Sequence, residues 1–247
     1  MRHVRYERNR IIMIKDYVAF DLETTGLNVE TDYIIEIGAL KVRNGKVVQR
    51  FMEFLKPDKP ITPMITNITG ITNEMVSQAR DTSNIIRDFV EFCEGDILVG
   101  HNIMFDYKFM KKYANQQGFL FEKSGIDTLK IARKCLCQLD SKSLGTLCDY
   151  YKIENPAAHR AYFDALSTAK IYHMLAHEFE KDNLKLFQPG QLQFKPKKIQ
   201  PCTQKQIEYL KALYHFHHIS ITCDFCKMTR SDASKLIDKI ISEHGRM

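Results

Sequence analysis

The sequence predicts a mixed α/β domain followed by a small helical module. Three observations carry this. Residues 17–23, 34–42 and 47–55 read as strands, and Asn44-Gly45 between the last two is a hairpin signal, so a three-strand meander opens the sheet. From residue 83 on, helical apolar spacing alternates with short apolar runs, the order expected of strand–helix crossovers. Beyond residue 183 the chain turns rich in proline and lysine, and two further helical patterns follow.

The first strand, YVAFDLE (17–23), is apolar except for two acids. The second, IIEIGALKV (34–42), leads through Asn44-Gly45 into the third, which Pro57, Pro60 and Pro63 close. Residues 83–95 place Ile86, Phe89, Val90 and Cys93 on one helical face and stop at Gly95. Residues 96–102 read as a short buried strand, 104–118 as a helix closed by Gly118, and 126–136 as a short strand running into a helix. Residues 143–151 and 161–179 are further helices. The predicted organisation is a flexible or non-native extension over 1–12, a main domain over 13–183, a linker over 184–202 and a helical module over 203–247. Met13 is the expected translation start, and a basic arm that touches phosphates is the alternative reading of 1–12. In the module, 203–216 and 230–242 are helical, and Ala233, Leu236, Ile237, Ile240 and Ile241 share a face.

The composition excludes little. Lys and Arg total 36 against 30 acids, a net charge of +6 that suits a nucleic-acid partner without requiring one. Seven irregularly spaced cysteines give no disulfide framework. IIMI (11–14) is too short for a signal core or a membrane span, so the expectation is a reduced, cytoplasmic protein with no membrane partner. Cys223-x-x-Cys226, with His215, His217 and His218 upstream, has metal-binding spacing, but loop cysteines are the preferred reading.

The acids carry the chemistry. Asp21 and Glu23, two apart in a strand, project from one face, and Thr24-Thr25-Gly26 follows at once. From the pair alone, a metal site and a water-facing sheet end are equally open. Asp106 falls in the first turn of a helix after a Gly100-His101-Asn102 turn, where the helix dipole alone would favour an acid. His159 precedes a helix that carries Asp164 in its first turns. Taken together, four carboxylates form an oxygen-only donor set. Such a set prefers Mg²⁺ or Mn²⁺ to zinc and is large enough for two ions, the clamp used for displacement at phosphorus. A histidine beside them can take a proton from water near neutral pH.

Asp21-x-Glu23-Thr-Thr-Gly, His101-Asn102-x-x-x-Asp106 and His159-x-x-x-x-Asp164 resemble, in order and spacing, the three motifs of the DnaQ-like 3′→5′ exonucleases of the DEDDh group. The similarity runs over roughly 17–180 and includes IIEIGALKV and ITGIT (68–72). It implies a ribonuclease H-like fold with a central mixed five-stranded sheet, and two Mg²⁺ or Mn²⁺ ions. It also implies removal of nucleotides from a free 3′ end of DNA. RNA or short oligonucleotides are the alternative substrate. A non-catalytic adaptor on the same fold is disfavoured, since all five motif residues are present. By resemblance, Asp21 would bridge both ions, Glu23 and Asp164 would complete the nucleophile-side site, Asp106 would hold the second ion and His159 would be the general base. Thr24 would lie near the 3′-hydroxyl and Leu27 against the terminal base. Thr69, His101 and Asn102 are candidates for substrate or supporting roles, Thr69 standing where some relatives carry a histidine. The implied partners are the nucleic acid and a DNA polymerase or another replication or repair protein. The linker, with Lys185, Lys195, Lys197 and Lys198, and the helical module are expected to modulate affinity for the nucleic acid without doing chemistry, with protein docking as the alternative.

Overall fold

The computed structural model describes residues 13–196, 200–221, 223–225 and 228–247. The N-terminal extension, Lys197, Lys198 and Cys226 therefore lie outside the described residues. The chain divides into two compact units, one ending at Pro196 and the other beginning at Lys197.

The first unit holds strands β1 (Tyr17–Thr24), β2 (Ile34–Arg43), β3 (Lys46–Phe54), β4 (Leu98–Gly100), β5 (Ser124–Asp127) and β6 (Gly190–Gln191). Its helices are α1 (Pro63–Thr69), α2 (Asn73–Ser77), α3 (Thr82–Phe92), α4 (Met104–Gln116), α5 (Thr128–Cys135), α6 (Leu144–Tyr151) and α7 (Ala161–Phe179). The sheet order is β3-β2-β1-β4-β5-β6. The meander β1–β2–β3 is antiparallel, β4 runs parallel to β1, β5 parallel to β4, and β6 closes the far edge antiparallel to β5. Asn44 (φ 51°) and Gly45 (φ 74°) form the β2–β3 turn in the left-handed conformations that an Asn-Gly hairpin needs.

Strand alternation divides the core into two layers. Val18, Phe20 and Leu22 face Phe89 of α3 and Phe109 and Met110 of α4. Tyr17 and Ala19 face Ile131 of α5, Leu147 of α6 and Tyr172 of α7. Asp21 and Glu23 continue this second row, so the strand turns its carboxylates toward α7.

The structure departs from the sequence expectation in three places. The sheet has six strands, not five, because β6 adds a two-residue edge within the stretch assigned to the linker. Residues 184–192 are not a linker. Leu184–Phe187 forms a 3₁₀ turn with Phe187 buried, and Leu192 is buried on the other face, so two apolar anchors outweigh the proline-rich composition. Pro63 does not only close a strand. It opens α1 behind the N-cap Thr62, a position where proline lacks nothing that a helix needs.

The second unit is a pair of helices, α8 (Gln204–Phe216) and α9 (Arg230–His244), packed through Leu210, Leu213, Tyr214, Ala233 and Ile240. Thr203 and Gln206 form a capping box at the start of α8. Leu236, Ile237 and Ile241 pack against this small core, so the apolar face of α9 is used within the unit.

Candidate active site

Four chain segments converge at the C-terminal end of β1. Asp21 lies opposite Gly38 of β2, and Glu23 opposite Glu36. The ladder register shifts between Glu23 and Thr24, which ends regular pairing where the strand opens into its loop. Gly38 sets the approach of α7. A Cβ there would lie 2.0 Å from the Tyr162 backbone nitrogen and 2.1 Å from the Ala161 carbonyl carbon. Only a residue without a side chain lets the start of α7 rest on the sheet beside Asp21, and that close approach delivers Asp164. Asp106 arrives from the opposite layer. It is buried in the first turn of α4, and its Oδ1 accepts the Leu22 N–H at 3.1 Å, which ties it to the residue between Asp21 and Glu23.

The segment before α7 is held by its own acid. The Asp164 carboxylate accepts the His159 N–H at 2.9 Å and the Asn155 Nδ2–H at 2.7 Å. His159 adopts a left-handed φ of 62°, rare for a side-chain-bearing residue. As a result Glu23, His159 and Asp164 each offer a ligand atom within 4.8 Å of the others, with both acids buried and the imidazole exposed. This is a candidate divalent-metal group.

The electrostatics follow from crowding. Burial, then the Asp106, Glu23 and Asp164 charges, hold Asp21 well above the ordinary carboxylate range. Burial and the neighbouring Asp164, Glu36 and Asp106 push Glu23 up to about 8. Burial pushes Asp106 up to about 8 and raises Asp164 as well. Protein groups alone leave these acids short of positive charge. A divalent cation would supply it and displace their protons.

The exonuclease sequence profile of the RNase T type matches residues 18–172, well over half of the chain. The chain belongs to the RNase T exonuclease family. Within it the resemblance is to the DnaQ-type 3′→5′ exonucleases, which are phosphodiester hydrolases. One relative is a DNA polymerase III PolC-type from Caldanaerobacter subterraneus subsp. tengcongensis, 38% identical over 170 residues. The match takes in 69% of this chain but only 12% of that polymerase. Solved structures of the same fold include E. coli exonuclease I with a dT13 oligonucleotide (TM-score 0.62, 18% identity, 70% of this chain and 43% of that one). Exonuclease X with 5′-overhanging duplex DNA gives a TM-score of 0.55 at 24% identity, over 70% of this chain and 99% of that one. Pop2p of S. pombe, in a Mg²⁺- and Mn²⁺-bound form, gives 0.57 at 17%, over 66% and 83%.

The remaining residues singled out in this exonuclease-family sequence divide by where their polar atoms go. The Thr24 hydroxyl donates to the Gly26 carbonyl at 2.7 Å and shapes the loop. Leu27 is 86% exposed and lines, with Asn102, Met104, Phe105 and Lys108, a groove of about 540 Å³. Thr69 is buried, donates to the Ile65 carbonyl and accepts the Ile71 N–H, which braces the end of α1. His101 is likewise engaged inside the protein. Its Nε2 meets the Lys142 carbonyl and its Nδ1 the Thr128 hydroxyl, each at 2.9 Å. Burial lowers its pKa, and because a carbonyl only accepts, Nε2 donates to Lys142. Asn102 takes the left-handed turn (φ 64°), with its N–H on Asp127 Oδ1 at 3.0 Å. Asn155, Asp127, Glu36 and Arg160 also hold the site's turns and acids, and no motif spacing singles them out.

Proposed function

We propose that this chain hydrolyses nucleotides one at a time from the 3′ end of DNA. The observation that carries the reading is the convergence of Glu23, His159 and Asp164, with Asp21 and Asp106 at the same strand end. Asp21, Glu23, Asp106 and Asp164 would hold two Mg²⁺ or Mn²⁺ ions. Their donor set is oxygen-only, buried and raised in pKa, which fits hard cations. When bound, such ions supply Lewis acidity at phosphorus and charge neutralisation for the leaving oxygen.

The chain's own groups do the rest. His159, exposed beside Glu23 and Asp164, accepts a proton from the attacking water. Asp164 orients the histidine turn through its bond to the His159 N–H. The groove beside Leu27 and Phe105 offers apolar surface to the terminal base, and Lys108 at its wall offers a charge to phosphate. Thr24 and Asn102 contribute through the backbone turns they hold, and His101 supports the second of these. The DNA assignment is supported by relatives named as DNA polymerases and by fold neighbours solved with DNA. The same relatives favour a replication or repair polymerase as partner. The second unit, together with Lys185 and Lys195 of the first, would add affinity for the nucleic acid and no chemistry. Among the described residues no helix is long and apolar enough to cross a membrane.

The test is degradation of 3′-labelled and 5′-labelled single- and double-stranded DNA and RNA with Mg²⁺ or Mn²⁺. Immediate release of the 3′ label from DNA supports the reading. Preference for RNA moves the substrate, and activity undiminished in EDTA removes the cations from the reaction.

A further inference from the structure

Glu36 is buried to 2% exposure near the start of β2, directly across the ladder from Glu23. A buried carboxylate must be paired, and its partner lies 124 residues away. Arg160 Nε reaches both Glu36 oxygens at 3.2 Å, and Nη2 reaches Oε1 at 2.9 Å. Glu36 Oε2 also accepts the Ala161 N–H at 3.0 Å, capping α7 from a neighbouring strand where α7 has no side-chain cap of its own. Both oxygens are thereby committed, so Glu36 is a fifth acid beside the cluster that stays out of the donor set.

Arg160 directly follows His159. The left-handed His159 turn persists only if its flanks hold it. One flank is the His159 N–H on Asp164, and the other is the Arg160 fork on Glu36. We propose that Glu36 and Arg160 are positioning residues: their ion pair locks the His159 turn so that the imidazole stays beside Glu23 and Asp164. The inference rests on the reading of His159 as general base and deepens it.

The test follows from the geometry. Glu36→Gln keeps the shape but offers one acceptor oxygen where three donors now share two. Arg160→Lys keeps the charge and loses the planar fork. Displacing a reacting group by about 1 Å costs on the order of 10²-fold in rate, so each variant should lose about 10–100-fold in kcat at an unchanged KM for a 3′-labelled oligonucleotide. Half-saturation by Mg²⁺ should also be unchanged. The decisive measurement is a double-mutant cycle with His159→Ala. If the pair acts through the imidazole, Glu36→Gln in the His159→Ala background should cost no more than about twofold further. Full additivity in the cycle, or recovery of Glu36→Gln by excess Mg²⁺, overturns the proposal and assigns the pair to fold or cation binding. Should Glu36→Gln lack native circular dichroism, the same cycle is run with Arg160→Lys. If His159→Ala alone turns over at the wild-type rate, the base assignment itself fails. That result is read from one variant and is separate from additivity in the cycle.

Discussion

Replacing Glu23 by Gln should abolish activity and stabilise the cation-free protein, with a pH dependence of fixed sign. Glu23 is 9% exposed and sits at about 8 instead of 4.5. A carboxyl raised in the folded state contributes stability below its unfolded pKa and loses it as pH climbs through the folded value. With EDTA present, wild type should therefore weaken between about pH 4.5 and 8. The ceiling from Glu23 alone is the shift of about 3.5 units at about 1.36 kcal/mol each, or roughly 5 kcal/mol. Asp21 and Asp164 share the same field and readjust when Glu23 is neutral, so a gain of roughly 1–3 kcal/mol at pH 8.5 is expected, shrinking toward zero at pH 4.5. Urea unfolding followed by circular dichroism measures this directly. Excess Mg²⁺ should narrow or reverse the difference, because cations bind the folded wild type through Glu23 and stabilise it by mass action. A variant no more stable than wild type at pH 8.5 in EDTA, or a gain independent of pH, would refute the reasoning.

His159→Ala should lower kcat by roughly 10²–10⁴-fold, and an undiminished rate removes the imidazole from the reaction. Gly38→Ala forces the start of α7 off the sheet, since its Cβ would meet the Tyr162 nitrogen at 2.0 Å. A loss of roughly 1–3 kcal/mol in urea unfolding, together with at least tenfold in kcat, is expected, and a silent substitution contradicts the close packing of α7 on the sheet. Ending the chain at Pro196 removes the second unit while keeping Phe187 and Leu192 in the core. Turnover at saturating DNA should persist, with weaker binding and a salt slope shallower by about one for each phosphate that the second unit had neutralised. Identical affinity and slope would leave the second unit without a nucleic-acid role.

The strands and long helices were legible because each carries its own periodicity. Val18, Phe20 and Leu22 alternate with Tyr17 and Ala19, and the structure assigns those two rows to different layers. The β2–β3 turn was legible because Asn-Gly tolerates left-handed backbone that few other pairs do. β6 was not, since two residues hold no period, and its anchors Phe187 and Leu192 sit among prolines and lysines. The motif acids could be read from spacing, but their supports could not. Nothing around Glu36 announces an arginine 124 residues away, and Asn155 precedes its motif as an ordinary loop residue. His101 shows the converse: a histidine inside a motif whose ring is taken up by Lys142 and Thr128.

The Leu22 N–H that binds Asp106 has a consequence for when this protein can act at all. Asp106 belongs to α4 on one side of the sheet and Asp164 to α7 on the other, with Asp21 and Glu23 on the strand between them. Neither side alone carries the full set of acids. A chain with one layer docked and the other loose would be compact yet inert toward phosphodiesters. Under the proposed function, a copy with either layer undocked lacks part of its acid set and removes no nucleotide from a 3′ end.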